Sequence, residues 1–242
     1  MKIYKLNAID STNDYLKQLA LKIPVEDYSI VKANYQKNGK GQLGNTWHSK
    51  KDKNLLFSVL VRFSDFKISE KAYLNFAISK AIYEVLNQYL DDVKIKWPND
   101  IMSRNKKVCG ILIENSVKNG RITQSIVGVG LNVNQVKFPD NLPNATSLKI
   151  ILNRDFDIND LLTEIVISIK KNMNLIHEKA FDKIKTAYKA VLFRIEKPAM
   201  YKTLNGHLFM GKLRTVTDEG LLQIELEDET IKEFSVKEIV FV

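Results

Sequence analysis

Apolar residues along this chain switch repeatedly between alternation and helical spacing, so strands and helices are interleaved. Residues 1–7 alternate weakly and read as a strand. Asp10-Ser11-Thr12-Asn13 offers several helix N-cap side chains, and Tyr15, Leu16, Leu19 and Ala20 follow at helical spacing. Residues 29–36, around Ile30 and Val31, read as a strand, and so does the run at 54–63. Ser69 is placed to cap a long helix reaching Leu90, with Tyr73, Phe76, Ala77, Ile82, Val85, Leu86 and Tyr89 toward the core.

Val93, Ile95 and Trp97 alternate with Lys94 and Lys96, the pattern of a half-buried strand that Pro98 stops. That parity makes Trp97 a core residue and puts Lys96 on the opposite face, with Asn99-Asp100 at the strand end. Residues 107–114 and 121–134 read as two more strands, joined by the turn signal Lys118-Asn119-Gly120. Residues 135–157 have no regular period. Ile158, Leu162, Ile165, Ile169, Met173 and Ile176 mark a long amphipathic helix, and 181–192 a shorter one. Residues 195–242 are short alternating runs broken by Asn205-Gly206, Asp218-Glu219-Gly220 and Asp228-Glu229, which predicts a small antiparallel barrel. The expected class is α+β, a mixed sheet packed with helices plus the barrel, in two domains, 1–192 and 193–242.

The 242 residues are 45% hydrophobic, which excludes a disordered chain. No apolar run reaches the roughly 18–20 residues needed to span a bilayer, and the opening residues lack a secretory core. A single cysteine, Cys109, rules out an internal disulfide framework and reads as a small buried apolar residue. The expectation is a soluble cytoplasmic protein with no membrane partner. Net charge is +9 and uneven: residues 193–242 hold 7 Lys/Arg against 9 Asp/Glu, and the first 192 hold 30 against 19. A basic body points to an anionic ligand or partner, whether nucleic acid, nucleotide or acidic protein.

Residues 39–47, Gly39-Lys40-Gly41-Gln42-Leu43-Gly44-Asn45-Thr46-Trp47, match the Gly-x-Gly-x-x-Gly dinucleotide string. That fingerprint needs a glycine turn opening a helix, whereas here the glycines run on toward a strand. A phosphate loop fails too, because Asn45-Thr46 stands where Lys-Ser/Thr is required. What remains is a flexible cationic loop ending in a flat indole. His48, His177 and His207 are scattered and suggest no metal cluster.

Four segments cluster near strand ends, where open sheets bind ligands. They are Ser11-Thr12-Asn13, the glycine loop with Gln36 before it, Lys96-Trp97-Pro98-Asn99-Asp100, and Lys107-Val108-Cys109-Gly110-Ile111-Leu112-Ile113-Glu114 followed by Gly128-Val129-Gly130-Leu131-Asn132-Val133. Their order and spacing resemble a biotin protein ligase of the short class, without an N-terminal DNA-binding domain. The resemblance covers nearly the whole chain and makes the C-terminal barrel SH3-like. It implies two substrates, biotin and ATP with Mg2+, which form biotinyl-5′-AMP. A lysine of a biotin carboxyl carrier domain then takes the biotinyl group.

The resemblance also implies site residues. Lys107 and Asp100 are the catalytic pair. Ser11, Thr12, Asn13, Gln36, Gly39, Lys40, Gly41, Lys107 and Gly110 bind biotin. Lys40, Gln42, Trp47, Asn99, Lys107 and Asn132 bind ATP or the adenylate, with Trp47 facing the adenine and Asn132 reading its edge. These residue types suit the chemistry. Joining two anions needs cations and oriented N–H donors, which Lys40, Lys107 and the loop glycines supply. The attacking lysine must lose its proton, and Asp100 is placed to help. No protein metal ligand is expected, because the magnesium belongs to MgATP.

Many relatives carry two arginines in the loop where this chain has Lys40, Gln42 and Leu43, so weaker retention of the adenylate is expected. A lipoate- or octanoate-transferring enzyme of the same fold is the nearest alternative. A nucleic-acid-binding module is a distant one, and sequence-specific DNA binding is not expected. Monomer and homodimer are both compatible with the sequence.

Overall fold

Main-sheet geometry follows from strand parity. The structure, a computed structural model, describes residues 2–236 and 238–242. Seven strands, β1 (Ile3–Leu6), β2 (Ile30–Ala33), β3 (Leu55–Arg62), β4 (Val93–Lys96), β5 (Asp100–Ser103), β6 (Lys106–Lys118) and β7 (Arg121–Leu131), form one sheet. Their order is β1-β2-β3-β7-β6-β5-β4. Only β1 and β2 run parallel; each later neighbour is antiparallel. The hairpin joining β6 to β7 turns at Asn119 and Gly120, both with positive φ, as the sequence signal required.

One face of the sheet is closed by α2 (Lys71–Leu86) and α4 (Ile158–His177), which pack on each other and on strand residues such as Phe57, Val59, Ile111 and Val129. Phe57 is fully buried, so truncating it to alanine would cost about 3–5 kcal/mol. α5 (Phe181–Lys189) joins this layer, with Tyr188 stacked on Phe76 at 4.3 Å. On the other face α1 (Thr12–Lys22) covers only one corner, where Leu16 meets Val31, Leu60 and Ile126. The rest of that face carries Leu56, Ser58, Gly110, Leu112, Gly128 and Gly130, with Trp47 lying over two of the glycines. No described helix is long and apolar enough to cross a membrane.

Three local expectations are corrected. Ser69 does not cap the long helix; it lies in a short 3-10 turn, Ile68–Glu70, in which the Glu70 carboxylate accepts from the Lys67 N–H at 2.7 Å, and α2 starts at Lys71. Asn99-Asp100 is not the end of a strand. The chain turns at Trp97-Pro98, and Asp100 opens the unforeseen strand β5, too short for its period to show. The irregular stretch 135–157 contains α3 (Leu148–Leu152), capped by Ser147, whose Oγ accepts from Ile150 N–H at 3.2 Å.

The C-terminal segment contains β8 (Pro198–Thr203), β9 (Leu208–Val216), β10 (Leu222–Leu226), β11 (Ile231–Phe234) and β12 (Ile239–Phe241). They form an antiparallel sheet in the order β11-β10-β9-β8-β12. This antiparallel sheet is consistent with the expected small SH3-like domain, and among the described residues no pairing joins β11 to β12 to close it. The chain passes into this sheet at Phe193, whose N–H donates to Ile95 O at 2.8 Å, and Glu196, whose N–H donates to Leu213 O at 2.9 Å. Trp97 ties the two sheets together, buried in the core with Nε1 donating to Gly220 O at 3.1 Å.

Candidate active site

A single cross-strand row sets the floor of the open face. Leu56 pairs with Gly130, Gly130 with Gly110, Gly110 with Asp100, and Asp100 with Lys96. Two residues along, Ser58 pairs with Gly128 and Gly128 with Leu112. Period two puts both rows on the same side. Three glycines therefore sit where ordinary side chains would fill the groove. A Cβ on Gly130 would stand 2.5 Å from Trp47 Cε2, and one on Gly110 would stand 2.9 Å from Trp47 Cζ3. The indole of Trp47 lies directly on this glycine floor. Its Nε1 is buried and has no hydrogen-bond partner among the described residues.

Lys107 and Asp100 meet at one end of the floor, with Nζ 2.7 Å from Oδ1. A register shift after Ile101 opposes Met102 to Lys107 and lets the lysine reach back to Asp100. Lys107 Nζ also stands 5.4 Å from the Trp47 ring. Asn99 is buried beside them, its amide donating to Ile111 O and its own carbonyl accepting from Ile111 N–H at 3.1 Å. Lys96 is half-buried next to Asp100 in the ladder, its Nζ 5.3 Å from the Phe241 ring. Burial pushes the Lys96 amine below its usual pKa, and Asp100 opposes that shift.

The other end of the floor is polar and buried. Ser11 caps α1, accepting weakly from Asp14 N–H at 3.4 Å. Thr12 sends both its N–H, at 2.7 Å, and its hydroxyl, at 3.0 Å, toward Gln36 Oε1. Ser58 Oγ lies 2.7 Å from Thr12 Oγ1 and 2.5 Å from Asn13 Oδ1. Asn13 Nδ2 donates to Glu114 Oε2 at 2.7 Å. A Cβ on Gly128 would overlap Asn13 Oδ1, so only glycine admits Asn13 here.

The glycine loop folds over this groove as a narrow hairpin rather than opening a helix. Trp47 N–H donates to Gly39 O at 2.8 Å and Gly41 N–H to Asn45 O at 2.7 Å. Leu43, with φ 56, and Gly44, with φ 82, make its tip. Lys40 Nζ pairs with Asp14 at 2.7 Å, which raises the ammonium above its usual pKa, the hydrogen bond being the largest cause.

Ser11, Thr12, Asn13, Gln36, Lys40, Gly41, Gln42, Trp47, Asn99, Lys107 and Gly110 all line one cleft, a convergence of polar groups and one aromatic ring of the kind small-molecule sites show. Asp100 touches the cleft through Lys107. Gly39 borders a neighbouring groove on the loop's other side, with Glu114. Asn132 lies outside the lining: its Nδ2 donates to Thr146 O at 2.9 Å, while its Oδ1 is buried without a partner among the described residues. Cys109 is fully buried, which raises its thiol pKa far above usual. Among the described residues no cluster of three His, Cys, Asp or Glu is placed to hold a metal.

Sequence reasoning missed Ser58, Asp14 and the part played by Glu114. Ser58 did leave a signal, as the one polar residue in the apolar run Leu55–Val61. Asp14 left none, because its partner lies 26 residues away across a loop.

Residues 6–132 match the family model described as the Biotin/lipoate A/B protein ligase family. The chain is 30% identical over 233 residues to the Bifunctional ligase/repressor BirA of Bacillus spizizenii, covering 95% of this chain and 71% of that protein. It is 26% identical to the Biotin–[acetyl-CoA-carboxylase] ligase of Mycobacterium tuberculosis, over 91% of this chain and 82% of that one. Among solved structures it resembles the biotin protein ligase from Aquifex aeolicus in complex with biotin and ATP, with a TM-score of 0.81 and 27% identity over 100% of this chain and 99% of that one. The chain belongs to the biotin/lipoate A/B protein ligase family and, within it, to the biotin protein ligases.

Proposed function

We infer that this protein activates biotin with MgATP to biotinyl-5′-AMP and transfers the biotinyl group to a lysine of a biotin carboxyl carrier domain. The observation that carries the reading is one cleft with two unlike ends. A buried hydroxyl–amide cluster at Thr12, Asn13 and Gln36 suits a ring with both N–H and C=O groups, and a Lys107–Asp100 pair lies at the far end of the glycine floor.

In the first step the biotin carboxylate attacks the α-phosphorus. A C–O–P anhydride forms and pyrophosphate leaves. Lys107, with Lys40 of the loop lining the same cleft, offsets the charge that gathers there. Trp47, supported from below by Gly110 and Gly130, offers its open face to the adenine. In the second step the carrier lysine attacks the acyl carbon, a C–N bond forms and AMP departs. Asp100 orients that amine and helps remove its proton.

We place the domain boundary between residues 192 and 193 and assign the catalytic work to the first part. The reaction belongs in the cytoplasm, where ATP is available. Sequence-specific DNA binding is not part of the reading, since the C-terminal segment carries 7 Lys/Arg against 9 Asp/Glu. The test is direct. Purified protein with biotin and MgATP should release pyrophosphate and label one lysine of a carrier domain. Labelling with lipoate but not biotin would sink the assignment.

A further inference from the structure

We propose that Glu114, a carboxylate outside the cleft lining, fixes which groups donate and which accept at the biotin end of the cleft, acting through Asn13. The inference rests on the biotin-ligase reading and assigns a positioning residue for ring selectivity.

Glu114 lies on the open face of the sheet, opposite Ile126 and two residues beyond Leu112. Its Oε2 is 2.7 Å from Asn13 Nδ2, and Leu112 O accepts from the same amide at 3.4 Å. A carboxylate accepts but cannot donate. Asn13 must therefore turn its NH2 toward Glu114 and its Oδ1 toward Ser58, 2.5 Å away. An amide oxygen also only accepts, so the single hydroxyl hydrogen of Ser58 goes to Asn13. Ser58 Oγ then presents lone pairs to Thr12, 2.7 Å away.

The same logic reaches Gln36 from its other side. Thr12 N–H donates to Gln36 Oε1 at 2.7 Å, which fixes that amide. Gln36 Nε2 then faces Gly39, where a Cβ would stand 3.2 Å from it. Thr12 spends its hydroxyl hydrogen on Ser58 or on Gln36 Oε1, at 3.0 Å. Both residues line the cleft, and after these bonds Thr12 keeps a lone pair and Gln36 an N–H donor to offer a ligand. That pair complements a cyclic urea, which has N–H donors and a carbonyl acceptor. An amide in place of Glu114 could donate as well as accept. Asn13 could then flip, Ser58 could reverse, and the ordered pattern would become one of two. Networks of this kind act as units in a low-dielectric interior.

The experiment measures calorimetric affinity of the full chain for biotin and for 2-iminobiotin, whose imino group changes the ring's donor–acceptor pattern. Glu114→Gln is expected to weaken biotin about tenfold, the scale of one hydrogen bond to a charged group, and to narrow the preference for biotin over 2-iminobiotin. The rate of adenylate formation at saturating biotin should stay near wild type. Asn13→Asp alone sets two carboxylates face to face and should bind worse. The double variant Asn13→Asp/Glu114→Gln restores the order, because the new carboxylate at position 13 accepts from both neighbours, and should recover most of the affinity. Wild-type affinity and selectivity in Glu114→Gln, or a double variant no better than Asn13→Asp, would overturn the inference alone. A wild-type protein that binds no biotin would overturn the ligase reading and the inference with it.

Discussion

Lys107 Nζ and Asp100 Oδ1 lie 2.7 Å apart across the β5–β6 pair, both side chains partly exposed. On the proposed mechanism the carboxylate holds the cation of the adenylation step and itself serves the transfer step. Lys107→Ala should lower pyrophosphate release by about 10²–10³, the usual cost of losing one charge-stabilising donor. Asp100→Asn should slow both steps, with transfer to the carrier lysine falling by about 10² or more if general-base help is lost. Pyrophosphate release and single-turnover transfer separate the two; full first-step activity in Lys107→Ala would remove its assigned role.

Gly130 supports the Trp47 indole. In Gly130→Ala the new methyl would stand 2.5 Å from Trp47 Cε2, so the ring must move. Overpacking of this kind costs about 1–3 kcal/mol. ATP affinity should fall about tenfold while biotin affinity changes little. Trp47 fluorescence and ATP titration read both effects, and an unchanged ATP affinity would argue against the indole as the adenine face.

Lys40 is held by Asp14, with side chains 51% and 41% exposed, so the pair adds at most about 1 kcal/mol of stability. Lys40→Ala should leave the melting temperature nearly unchanged and release biotinyl-5′-AMP several-fold faster. The wild-type loop itself, with Lys40, Gln42 and Leu43 where many relatives have arginines, should release the intermediate readily. Very slow release, followed by trapping the free adenylate, would count against this.

Lys96 has its amine pKa lowered by burial. Between that folded value and the ordinary 10.5 the unfolded chain binds more protons, so this residue makes stability rise with pH through the window. Lys96→Met should remove that slope and leave stability at pH 7 equal or higher. Denaturant midpoints of the two proteins at pH 7 and pH 10 check the sign.

Much of the fold was legible because strand and helix periods are local properties. The run Val93–Trp97 showed by alternation alone that Trp97 is core, and the structure buries it. The long helix over Ile158–Ile176 appears as α4. The short strand β5 and helix α3 were not legible, since four or five residues carry too little period to read.

By itself the sequence determined the kinds of residue available: a glycine loop too helix-poor for a dinucleotide site, a lysine–aspartate pair at spaced positions, glycines at the alternate positions 128 and 130, and another at 110. Tertiary structure decided which of them touch. Strand register sets Gly130 beside Gly110 and Gly110 beside Asp100, and a one-residue slip would have turned all three to the other face. The meeting of Asn13, Ser58 and Glu114 joins three segments far apart in the chain. It was invisible locally because hydrogen-bond partners across a sheet are chosen by pairing, and pairing is a long-range property that no window of residues contains.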